Sequence, residues 1–196
     1  MKKIKDFQKK CMDINIPIKE IKAVQKSLSL KKGKLYLIGG AVRNLILNKS
    51  FINQYPDLVT DLSLDDLTKC LKKSNIKFLP IGVKYGSLVV LVNKIKIDVT
   101  IMREDIKTDG RWAKIKHTKD IELDSKRRDF TINSIYCDIK GNLYDPNNGY
   151  IDLKNGVIKF IGKIENRVSE DFLRILRFVR FSIIYDKNLD INTLKK

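Results

Sequence analysis

Apolar residues recur along the first 28 positions at near-helical spacing: Ile4, Phe7, Cys11 and Ile14, then Ile18, Ile21, Val24 and Leu28. Side chains three or four residues apart share one helix face, so this pattern predicts amphipathic helices. Pro17 separates the two sets, because its ring and missing N–H interrupt a helix interior. Two short helices packed on a main domain are therefore expected. After Lys31-Lys32-Gly33, residues 34–38 read as an apolar strand that breaks at Gly39-Gly40, with a helix from about 41 to 48. Ser63, with Asp66 three residues on, is placed to cap a helix running through Leu71. A short strand is expected over Ile76–Leu79. The clearest hairpin follows, with Ser87–Val92 and Ile95–Ile101 flanking Asn93-Lys94. In its second strand Ile95, Ile97, Val99 and Ile101 share one face, and Lys96, Asp98 and Thr100 the other.

Residues 103–126 are polar and read as a loop containing Asp109-Gly110-Arg111. A helix is expected over 126–134, a strand over 135–139, a turn at Lys140-Gly141-Asn142 and a loop over 145–149. From Ser169 to Ile184 the pattern is again helical. Ser169 is placed as its N-cap, with Glu170 and Asp171 in the first turn, where negative charge is favoured. Leu173, Leu176 and Val179 define an apolar stripe, and Arg174, Arg177 and Arg180 step down another side. Mixed strands and helices with hairpin links predict an α+β head rather than a doubly wound sheet.

Charge changes this picture. The 196 residues carry 40 Lys and Arg against 23 Asp and Glu, a formal net charge of +17. A field of that sign concentrates polyanions, of which nucleic acid is the usual one. No apolar run approaches the roughly 18–20 residues of a membrane span, and MKKIKDFQKK has no apolar segment behind it to make a signal peptide. Cys11, Cys70 and Cys137 are scattered, as expected of reduced structural thiols in a cytoplasmic protein. A single histidine, His117, reads as a surface residue, and zinc is not expected.

The candidate chemistry begins at Gly39-Gly40. Paired glycines between a strand and a helix let backbone N–H groups approach a phosphate, and Arg43 adds a fixed cation. Downstream, Asp57 and Asp98 are candidate metal carboxylates. Arg128 stands at an expected helix start. On the last helix Arg174, Arg177 and Arg180 form a ladder suited to phosphates, and Asp171 with Arg174 at i, i+3 presents a donor and an acceptor together.

The order of these pieces resembles the head and neck of class II tRNA nucleotidyltransferases, the family of CCA-adding enzymes and bacterial poly(A) polymerases. The matching runs are IGGAVRN (38–44), DLVTDLS (57–63), KYGSLVVLV (84–92), IDVTIMR (97–103), DGR (109–111), RRDFTINSIY (127–136), LYDPNNGYIDLKNG (143–156) and SEDFLRILRFVRF (169–181). The resemblance implies a polymerase-β-like nucleotidyltransferase head with a mixed sheet and flanking helices over 31–163. A helical extension would precede it over 1–30, and a helical neck would start at 164–196. It further implies Mg²⁺-dependent transfer of CMP or AMP from CTP or ATP to an RNA 3′ end, tRNA above all. CCA addition and poly(A) addition share these motifs. By position, Gly39, Gly40 and Arg43 would contact the triphosphate, and Asp57 and Asp98, with Asp61 as a further candidate, would hold metal. Arg128 would touch the nucleotide, Asp171 and Arg174 would read the base, and Arg177 and Arg180 would continue that side. The chain departs from the family pattern in two places: Tyr55 stands at the first aspartate of the metal-binding Asp-x-Asp, and Asn44 replaces the aspartate of Val-Arg-Asp. Family members continue into further helical domains that hold the tRNA. A separately encoded body is therefore an expected partner, and a nucleotide- or RNA-binding fragment without turnover is the alternative reading.

Overall fold

Strand alternation sorts side chains onto two faces of a seven-stranded sheet, and that sorting positions everything else. The structure, a computed structural model, describes residues 2–52, 55–109 and 112–185. Its elements are α1 (Phe7–Asp13), α2 (Ile18–Leu28), β1 (Leu35–Leu37), α3 (Gly39–Leu47), β2 (Asp57–Thr60), α4 (Leu64–Lys73), β3 (Lys77–Leu79), β4 (Ser87–Val92), β5 (Ile95–Ile101), β6 (Arg103–Asp109), β7 (Trp112–His117), α5 (Ile121–Lys126), β8 (Tyr136–Asp138), β9 (Leu143–Tyr144), α6 (Gly149–Asn155), α7 (Ile164–Glu170) and α8 (Leu173–Tyr185). The main sheet runs β3-β4-β5-β2-β1-β8-β9. Only the central β2–β5 pair is parallel, so the sheet is mixed and the architecture is α+β, as expected.

One face is the main core. Leu35, Leu37, Leu58, Ile97 and Val99 point into it and meet Ile21, Val24 and Leu28 of α2 and Leu67, Cys70 and Leu71 of α4. Burial of each such side chain is worth roughly 1.5–3 kcal/mol. Alternation sends Tyr36, Ile38 and Val59 to the opposite face, where they join Met102 and Tyr136 in a second, smaller cluster. By the same parity Asp57, Asp98 and Thr100 lie on that second face.

Several local expectations hold for the reasons given. Pro17 separates α1 from α2. The Ser63 side chain accepts a hydrogen bond from the Asp66 amide at the start of α4. Asn93 and Lys94 both adopt positive φ, 49° and 67°, the two-residue hairpin geometry that matches strand twist. All three cysteines are buried and free, and burial pushes the Cys11 thiol up to about 12.

Four expectations do not hold. Residues 103–126 are not a loop: β6 and β7 pair into a two-stranded sheet, and α5 follows. Charged residues run through both strands, so no sustained apolar alternation marks them in the sequence. Gly110 and Arg111 lie outside the described residues. The helix expected over 126–134 ends at Lys126, and only Thr131–Asn133 forms a 3₁₀ turn. There the Asp129 carboxylate accepts from the Phe130 amide and from Asn133 Nδ2, offering the backbone a partner other than a helix.

The helix expected from Ser169 breaks at Asp171, whose backbone is extended (φ −159°, ψ 104°) and whose carboxylate accepts from the Leu173 amide at the start of α8. Ser169 therefore sits inside α7 and donates its hydroxyl to the Asn166 carbonyl. The stripe Leu173, Leu176 and Val179 faces solvent, at 41%, 66% and 45% exposure, and α8 buries Phe178 and Phe181 against Phe130 instead. Lastly, His117 is half-buried, with Nε2 2.9 Å from the Asp61 carbonyl oxygen.

Candidate active site

The site starts where β1 ends. Gly39, with φ +60°, turns the chain from β1 into α3, and a Cβ there would lie 3.4 Å from Asp57 Oδ2. Glycine thus lets the backbone pass beside that carboxylate. Asp57 opens β2 and is the register partner of Asp98 on the parallel strand β5. Desolvation within the site, and then the negative charge of Asp98, hold the Asp57 carboxyl above the usual carboxylate range, and Arg128 and Arg43 oppose that rise. Desolvation likewise raises Asp98. Asp61 is not part of this pair: at the other end of β2 its carboxylate accepts from the Lys34 amide at 2.7 Å.

Asp57 borders a cleft of about 660 Å³. The head supplies Gly39, Gly40, Arg43, Arg127 and Arg128 to its walls, and the segment running into α8 supplies Asp171, Arg174, Arg177 and Arg180. Each arginine is held by something specific. Arg43 Nε donates to the Tyr185 hydroxyl at 2.6 Å, its Nη1 donates to Asn133 Oδ1, and its guanidinium lies 4.8 Å from the Phe181 ring centre. The buried Asp124 carboxylate accepts from Arg127 Nε, from Arg128 Nη2 and from the Tyr136 hydroxyl. The two arginines beside it hold Asp124 well below the usual carboxylate range, against the upward pull of its burial. Arg128 Nε also donates to the Tyr136 hydroxyl at 2.9 Å. On α8, Arg177 pairs with the buried Asp129 at 2.8 Å, and Arg180 lies 4.8 Å from the Phe181 ring centre. Arg174 pairs with Glu170 at 2.6 Å rather than with Asp171, which is occupied in capping α8.

Seven arginines and five acids line the cleft, and the planar forked donors of the arginines suit phosphate oxygens. Residues 35–159 match the family described as "Poly A polymerase head domain". The chain belongs to that family. Over 149 residues it is 36% identical to the mitochondrial CCA tRNA nucleotidyltransferase 1 of Danio rerio, covering 76% of this chain and 34% of that relative. A crystal structure of Bacillus stearothermophilus CCA-adding enzyme in complex with CTP is similar at 30% identity and a TM-score of 0.73, over 84% of this chain and 38% of that one. A tRNA nucleotidyltransferase complexed with a primer tRNA and an incoming ATP analog is similar at 26% identity and a TM-score of 0.64, over 81% and 44%. The chain spans about a third of the length of the curated relative.

Poly A polymerase head domain proteins generally use a divalent metal. Two carboxylates in register on neighbouring strands, each raised by its surroundings, fit a hard cation that takes its remaining oxygens from water and substrate phosphates. Among the described residues no cluster of three or more such ligands occurs.

Most of the residues singled out from the sequence converge here, while Asp98 stands beside Asp57 without bordering the cleft itself. Arg128 does so from the turn after α5 rather than from a helix start. Sequence reasoning missed Arg103, Arg127, Asp129 and Glu170, all of which border the cleft. Arg103 Nε lies 3.4 Å from Asp105 Oδ1, an ion pair too poorly aligned to count as a hydrogen bond, and its Nη1 is buried without a hydrogen-bond partner. The signal was present, because Arg103 closes the IDVTIMR run and Arg127 opens RRDFTIN. Among the described residues no helix is long and apolar enough to cross a membrane.

Proposed function

We propose that this chain is the nucleotidyl-transferring head, over 31–163, and the start of the neck, from 164, of an enzyme that adds CMP or AMP from CTP or ATP to the 3′ end of tRNA. The observation that carries the reading is that Asp57, in register with Asp98 on the neighbouring strand, borders an arginine-lined cleft. Gly39 and Gly40 let the backbone come close to the triphosphate, and Arg43, Arg103 and Arg128 neutralise it. Asp171 and Arg174 face the base. Asp57 and Asp98 would hold Mg²⁺, which supplies activation of the RNA 3′-hydroxyl and charge neutralisation at the leaving pyrophosphate. The hydroxyl attacks the α-phosphate, the bond to the β-phosphate oxygen breaks, and pyrophosphate leaves towards the arginines. Buried free thiols support a reducing compartment such as the cytoplasm. The tRNA body would be held by helical parts beyond the chain, covalently continuous or separately encoded.

Incorporation of labelled ATP or CTP into a tRNA lacking its 3′ end, with Mg²⁺, tests the reading. Incorporation is expected, with about a 100-fold or larger loss in Asp57→Asn, in keeping with several kcal/mol of charge stabilisation at a metal site. Incorporation no higher than in Asp57→Asn sinks it. A head that binds nucleotide without turnover is the second reading, favoured by Tyr55 at the first-acid position. Nucleotide binding with no incorporation selects it.

A further inference from the structure

The carboxylate pair has a second neighbourhood, outside the arginine cleft. Tyr55 is 59% exposed, and Lys96 Nζ lies 5.7 Å from the centre of its ring. Lys96 and Asp98 are two apart on β5 and share a face, about 7 Å apart along the strand, and Tyr55 precedes Asp57, the register partner of Asp98, by two residues. The backbone at Tyr55 is fixed: Pro56 is buried, its carbonyl accepts from the Asp98 amide at 3.1 Å, and a residue before proline is held extended. On β4 the register partners are Leu91, opposite Lys96, and Val89, opposite Asp98, both half-exposed. Tyr55, Lys96, Val89 and Leu91 do not border the arginine cleft.

Resting on the transferase reading above, we propose that Tyr55 and Lys96 form the seat of the terminal nucleotide of the RNA primer. The Tyr55 ring stacks on its base, and Lys96 meets its single phosphate. The distribution of charge assigns the two sides. A triphosphate needs several cations and finds them in the cleft, whereas an internucleotide phosphate carries one charge and finds one lysine. Half-exposed Leu91 extends an apolar floor beneath a nucleoside, and aromatic rings take bases of any kind by stacking. Nucleotide and RNA end thus reach Asp57 and Asp98 from separate seats. Tyr55 is then a primer-binding residue in a place where the family pattern has a metal ligand.

The test reads binding without turnover, so it stands or falls independently of whether the chain incorporates nucleotide. Anisotropy of a labelled single-stranded RNA ending in a free 3′-hydroxyl, and separately of a labelled ATP analogue, is measured on the full chain. Tyr55→Ala is expected to weaken RNA about 5- to 100-fold, the range of one lost base stack, and to leave ATP affinity within twofold. Tyr55→Phe is expected to retain RNA affinity. Lys96→Gln is expected to lower the slope of log K against log salt by about 0.7, one phosphate on a single strand. Unchanged RNA affinity in Tyr55→Ala overturns the proposal. So does unchanged RNA affinity in Tyr55→Asp, because a carboxylate cannot replace a stacked ring. Circular dichroism and melting of each variant confirm that it is folded, and equal loss of RNA and ATP binding also counts against it.

Discussion

Gly39 shows how narrow the tolerance is at one residue. Its positive φ and the nearness of Asp57 Oδ2 together make alanine costly there. Gly39→Ala is expected to lose about 1–2 kcal/mol in urea unfolding, the usual penalty for a left-handed non-glycine residue. Incorporation should fall more than stability, because the added methyl crowds the Asp57 carboxylate. Asp124 is the other decisive residue. Buried and bonded to Arg127, Arg128 and Tyr136, it has a folded-state pKa below its unfolded one. Its contribution is therefore complete above about pH 4 and is lost as pH falls below the unfolded value. Asp124→Asn is expected to cost about 3 kcal/mol or more at pH 7, since two guanidinium groups lose their buried partner. Its stability should also vary less than wild type between pH 5 and pH 3, measured by denaturant midpoints.

Among the elements, α8 carries two apolar sides with opposite consequences. Phe178 is buried beside Phe130 and Phe160, and Phe178→Ala should cost about 3–5 kcal/mol. Leu176 is 66% exposed, and Leu176→Asp should change stability by less than about 0.5 kcal/mol. Equal costs in thermal or urea unfolding would contradict the packing described. This helix also marks the boundary of what the sequence could say. Its existence was plain from spacing, but Leu173-Leu176-Val179 and Phe178-Phe181 are both periodic, and only the tertiary neighbours decide which turns inward. The break at Asp171 was hidden because acids at a first turn look alike whether the helix starts at residue 170 or 173. β4 and β5 were legible to the residue, since a buried face enforces alternation and Asn93-Lys94 sets the register. β6 and β7 were not, because Ile106, Trp112 and Ile115 are too few among charged neighbours to set a period. In the site, Gly39, Arg43, Asp57 and Asp98 were legible from motif order. The Asp124 network was not, because a carboxylate in a polar stretch gives no sign of being buried.

At the scale of the whole molecule, a charge of +17 predicts that the proposed RNA binding weakens steeply with salt, nearly linearly in log–log form. Chelation with EDTA should abolish incorporation and leave the melting temperature unchanged, because the fold rests on the two apolar clusters and not on the Asp57–Asp98 pair. The cleft has a further consequence for the protein as a material. Most of its arginines already have carboxylate partners in Asp105, Asp124, Asp129 and Glu170, so a bound phosphate adds contacts to a preformed set. A phosphate-bearing ligand at 100 times its dissociation constant adds about 2.7 kcal/mol to the folded state, a large part of a marginal stability. Lifetime against added protease should then lengthen as nucleotide is titrated in.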